Sequence, residues 1–130
     1  MEQISRGVSM KRTIYIAEEY VSSKKDNIVH FVRLADNVFF NRHDLEDLVG
    51  QNLYCETRYM SYRTSLDERE LPTTTDVISL DKLPFLAWYT NSCAIYEIYS
   101  FFSETSYPQL RLSKIKGVLL KIYLAVFGKD

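Results

Sequence analysis

The chain is predicted to fold as one α+β domain, a small antiparallel sheet packed against four or five helices. Three observations lead there. Short β-branched or aromatic runs recur at Thr13–Ala17, Ile28–Arg33, Val38–Phe40 and Asp76–Ser79, the period-two signature of strands. Longer stretches with apolar residues at helical spacing lie among and after them. Only four Gly and three Pro occur in 130 residues, too few for disorder or for a chain built of tight hairpins.

Taken in order, residues 1–12 read as a polar, flexible leader and 13–130 as the domain itself. Ser22–Asn27 is a polar turn after the first strand. Leu34–Asn37 forms the hairpin turn between the second and third strands, with Asn37 able to take a positive φ. Asn41 then stands as an N-cap, with Asp44 in the first turn. The helix Arg42–Val49 turns Leu45, Leu48 and Val49 inward, and Gly50 ends it.

The middle of the chain is assigned by spacing alone. Leu53, Thr57 and Met60 fall on one helical face, so a second helix is expected over 53–62, followed by a polar loop from Thr64 to Thr75. After the strand at 76–79, Asp81 caps a helix whose first turn holds Pro84, where a missing N–H does no harm. Further helices follow at Ala94–Ser103 and over about 112–127. In the last, Leu112, Ile115, Leu119, Ile122 and Val126 make the apolar stripe, and Lys114, Lys116 and Lys121 fall off it.

Composition narrows the function classes. With 46% hydrophobic and 25% charged residues the chain reads as an ordinary soluble globular protein. No run approaches the ~18 apolar residues of a membrane span, and the polar N-terminus carries no signal peptide, so no membrane partner and an intracellular, non-secreted location are expected. Sixteen basic against seventeen acidic residues give a net charge of −1, which weighs against a phosphate-driven nucleic-acid binder. Cys55 and Cys93 lack metal-ligand spacing and point to a reducing compartment. No phosphate loop, metalloprotease motif or nucleophile elbow is present, so neither an enzyme nor a cofactor is expected. His43 beside Asp44 reads as a solvent-facing first-turn residue and His30 as a half-buried strand residue.

Two parts of the chain carry a resemblance. The first is Val38–Gly50, an aromatic strand followed by Asp44, Leu45, Leu48 and Gly50; the second is Asp76–Thr105, a strand leading to a helix, a polar break and an aromatic-rich helix. In that order they resemble the BRO-N domain, a relative of KilA-N found in large DNA viruses and phages. The resemblance spans about residues 27–111, with one extra residue before Gly50. It implies a viral DNA-binding or regulatory protein of the infected cell's nucleus or cytoplasm. The variable second domain that usually follows BRO-N is replaced by one helix.

Candidate residues divide between two partners. For nucleic acid they are Arg42, Arg58, Arg63 and Tyr62, since interleaved Arg and Tyr can combine a phosphate contact with stacking. Nearby Glu46, Asp47, Glu56, Asp67, Glu68 and Glu70 oppose that use. For a homo-oligomer or a viral or host protein they are Tyr96, Tyr99 and Tyr123, because ten Tyr and seven Phe exceed what one small core hides. Phe85, Trp88 and Phe102 are assigned to that core. The rival to DNA binding is therefore a self-assembling protein that keeps the fold.

Overall fold

The structure, a computed structural model, describes residues 13–23 and 26–130. The expected leader and Lys24 and Lys25 of the first turn lie outside the described residues. Strands β1 (Ile14–Ile16), β2 (Glu18–Val21), β3 (Ile28–Leu34) and β4 (Asn37–Asn41) precede helix α1 (Arg42–Val49). Strands β5 (Arg58–Arg63) and β6 (Thr73–Ser79) follow, then α2 (Leu83–Thr90), α3 (Cys93–Thr105) and α4 (Lys114–Phe127).

The six strands form one sheet in the order β1-β5-β6-β4-β3-β2. Every pairing is antiparallel except β1 with β5, so the sheet is mixed rather than wholly antiparallel. Its first and last strands are consecutive pieces of one extended run, separated only by Ala17. The sheet therefore curls until its edges meet, and the Ala17 N–H donates to the Arg63 carbonyl at 2.7 Å.

Curling gives the sheet two apolar faces. On one, Val29, Phe31, Val38, Phe40 and Ile78 meet Leu45 and Leu48 of α1, Leu83 and Leu86 of α2, and Ile95, Ile98 and Phe102 of α3. On the other, Ala17, Val32, Phe39, Met60, Tyr62 and Val77 form a smaller core. Alternation along β4 serves both, since neighbouring Phe39 and Phe40 point to opposite sides. The ladder joining β4 to β6 is short: Phe39 opposite Ser79, Phe40 opposite Ile78, Asn41 opposite Val77.

Helix ends follow local chemistry. Asn41 accepts a hydrogen bond from the Asp44 N–H, and Gly50 closes α1 at φ 75°, a conformation a Cβ would strain. Asn91 at φ 57° ends α2, and the Ser92 side chain caps α3 through the Ile95 N–H. Asp130 reinforces this break, accepting from the Ser92 hydroxyl and the Ala94 N–H at 2.8 Å each.

Several expectations are corrected. The segment 53–62 is not a helix: Met60 and Tyr62 alternate with Tyr59 and Ser61, so β5 can bury one face while bonding to strands on both sides. The loop expected to Thr75 ends earlier, because the β-branched Thr73–Thr75 extends β6. Asp81 sits in a 3₁₀ turn over Leu80–Lys82 and accepts from the Ser79 hydroxyl, while α2 starts with no side-chain cap. Pro84 falls in the first turn as expected. Among the described residues, only Asp26, Gly50 and Asn91 have positive φ, so Asn37 lies within its strand and accepts from the Val38 N–H instead.

Phe102 is fully buried, edge-on to Phe31 at 4.8 Å and to Phe40 at 5.3 Å between ring centres. Phe102→Ala is expected to lower unfolding stability by about 3–5 kcal/mol. Phe101→Ala, removing a half-exposed ring, should cost less than half of that. Urea titration followed by circular dichroism measures both.

Candidate functional site

The polar centre of the molecule grows from the β4–α1 junction. Asn41 is 7% exposed, and its amide spans three elements. The Oδ1 caps α1, and the Nδ2 donates to the Tyr62 hydroxyl on β5 at 2.7 Å. Asp44 points back at β3, accepting from both the backbone N–H and Nδ1 of His30 at 2.9 Å each. The His30 ring stacks on Tyr62 at 6.2 Å, with Glu19 3.7 Å beyond its Nε2. The histidine that partners Asp44 is thus His30, across the sheet. His43 is exposed, with its Nδ1 3.7 Å from Glu46.

The four residues expected to hold nucleic acid are drawn into the fold in different ways. Arg42 pairs with Glu46 at 3.1 Å and Asp76 at 3.4 Å. Arg63 donates to the Glu70 carbonyl at 2.8 Å. Tyr62 is only 4% exposed, because its place on β5 faces the smaller core, and it has no open face for a base. Burial pushes its phenol above the ordinary range, with the Asn41 hydrogen bond opposing that shift. Arg58 remains exposed, its guanidinium 5.1 Å over the Phe39 ring. The structure does not gather these groups into one basic face.

The residues expected at a partner interface also separate. Tyr99 is a core residue, 4% exposed, with its hydroxyl donating to the Leu110 carbonyl at 2.6 Å. Tyr96 is half-buried beside it, ring centres 6.2 Å apart. Helix α3 lies under α2 and the turn at 108–110, which cover the side the periodicity left open. Tyr123 alone adjoins a large apolar surface.

Of that surface, the sequence assigns Phe85 and Trp88 to the core. Phe85, Trp88 and Tyr89 of α2 are 54%, 51% and 41% exposed. On α4, Ile115, Val118, Leu119, Ile122 and Val126 form an exposed stripe, with Phe127 at its end. Helix α4 packs inward instead through Leu120, Tyr123 and the buried Leu124. A groove lined by Phe85, Trp88, Leu119 and Tyr123 joins the two helices' exposed faces, with Lys116 at its margin.

Cys55 and Cys93 are both free and half-buried; burial is the largest influence raising the Cys55 thiol pKa. Among the described residues no group of three or more His, Cys, Asp or Glu is placed to hold a metal ion. No helix among them is long and apolar enough to cross a membrane. Comparison with known protein families, curated proteins and solved structures finds no match.

Tyr62→Phe removes the acceptor of the Asn41 amide and is expected to cost about 1 kcal/mol. Tyr20, Tyr62 and Tyr99 all have raised phenol pKa values, with burial the first cause. A raised folded pKa leaves stability intact below the ordinary tyrosine value of about 10 and removes it as pH rises further. Ultraviolet titration should show late-ionising tyrosines, one fewer in Tyr62→Phe.

Proposed function

We propose that this is a non-enzymatic interaction protein that associates with a second copy of itself through the α2/α4 face. One observation carries the reading: the side of α4 turned away from the core exposes an apolar stripe beside the aromatic groove it shares with α2. Nine large side chains, each roughly half exposed, present about 1,000 Å². The largest apolar patch on a typical monomer is about 300–600 Å². A stable interface needs about 800 Å² from each partner, so two copies suffice to cover the face. Lys114, Lys116 and Lys121 are exposed and off the stripe, where like charges of two copies stay solvated at the rim.

The role implied by the BRO-N resemblance, a viral DNA-binding or regulatory protein, stands second. Of the residues assigned to it, Arg58 alone combines exposure with the absence, among the described residues, of a carboxylate partner.

Sedimentation velocity across a dilution series tests the first reading. A mass of two copies is expected at high concentration, falling to one on dilution. Leu119→Glu with Ile122→Glu should leave one copy throughout without lowering the melting temperature, since both side chains face solvent. A one-copy mass of the unmutated chain at every concentration would overturn it. Saturable duplex DNA binding, lost in Arg58→Ala, would favour the second reading.

A further inference from the structure

The apolar side of α4 carries a charge pattern that self-association leaves unused. From Ser106 to Lys129 the chain has Arg111, Lys114, Lys116, Lys121 and Lys129 and no acidic residue, although its net charge is −1. Helix α2, which borders the same face, contains no charged residue from Leu83 to Thr90.

Position on the helix gives those charges a use. With about 3.6 residues per turn, Ile115, Val118, Leu119, Ile122 and Val126 gather on the outward side, opposite the buried Leu124. Lys114 and Lys121 fall along one margin of that stripe. Lys116 falls along the other, at the groove that contains Trp88. All three lysines are exposed. An apolar stripe edged on both sides by basic side chains is the pattern of a helix lying in a lipid–water interface. The apolar residues enter the acyl boundary, while the lysine stems lie along them and the ammonium groups reach the phosphates. Tryptophan favours the same depth, with its ring inward and its N–H toward the headgroups. Trp88 stands 51% exposed beside the stripe.

Length sets the mode of contact. The 14 residues of α4 rise about 21 Å, short of the roughly 30 Å hydrocarbon core of a bilayer. The helix can therefore meet one leaflet, lying along it, and docking of this kind needs no spanning segment. We infer that the α2/α4 face docks on the surface of a bilayer containing anionic phospholipid, and that this surface competes with the second copy for the face. Charge separates the two occupants. Two copies meeting here bring like-charged lysines together at the rim, whereas an anionic leaflet attracts every one of them. The competition rests on the reading of self-association; the docking does not, because a single copy presents the whole face.

Flotation of the full chain with phosphatidylcholine vesicles, with and without phosphatidylserine, tests this. Saturable binding is expected with phosphatidylserine only, weakening as salt rises. Trp88 is the one tryptophan of the chain, so its fluorescence reports on this face directly and should shift to the blue as the ring leaves water. Lys114→Gln with Lys121→Gln, both at exposed positions, should weaken binding at least about tenfold. Leu119→Glu with Ile122→Glu should abolish it. Apparent affinity for the vesicles should fall as the chain concentration enters the range where two copies form. Vesicle binding beside a one-copy mass at every concentration would remove self-association and leave the docking standing. No binding to phosphatidylserine vesicles, equal binding to phosphatidylcholine alone, undiminished binding by the lysine variant, or an unshifted Trp88 emission would overturn the inference.

Discussion

Three residue pairs between β4 and β6 hold this molecule together. Without Phe39–Ser79, Phe40–Ile78 and Asn41–Val77, the two parts of the sheet, a hairpin with α1 and a strand pair running into α2 and α3, are paired only at the β1–β5 seam. Joined, they present Phe40 and Ile78 to the helices and Phe39 and Val77 to the smaller core, so one ladder builds both interiors. Asn41 sits at its end, where a single amide stops the strand, starts α1 and holds β5 through Tyr62. Removing it would leave partners on two elements, the Asp44 N–H of α1 and the Tyr62 hydroxyl of β5, unsatisfied at once.

The same geometry decides which polar groups are available to other molecules. Closing the sheet turns Tyr62 inward and draws Arg42 and Arg63 into internal partnerships with Glu46, Asp76 and the Glu70 carbonyl. The exposed apolar and basic surface therefore lies on the helices. There α4 touches the core along one narrow side, leaving an apolar face, an aromatic groove shared with α2 and a basic groove shared with α3.

How much of this was legible depended on whether local chemistry was redundant. Helix α1 was readable to the residue because Asn41, Asp44 and Gly50 agree with the periodicity between them. β5 was not, because Leu53, Thr57 and Met60 match a helical face by chance while Arg58–Arg63 alternates over only six residues. The decisive force there is pairing with β6 and β1, which lies far away in sequence. For α2 and α4 the difficulty is an excess of apolar residues. Leu119 and Ile122 are as good a stripe as Leu120 and Leu124, and only the tertiary packing chooses between them. The candidate surfaces inherit that ambiguity: Phe85 and Trp88 look like core residues in sequence, and Tyr99 looks free when it is enclosed.

The seam at Ala17 has a consequence for how this protein can meet others. Because one extended run serves both margins of the sheet, its two outer strands are only three and four residues long among the described residues. Such stubs are poor templates for an incoming strand. Main-chain extension at these two margins therefore has little to build on. Substitutions on the exposed helix faces can then change what the surface presents without disturbing the sheet.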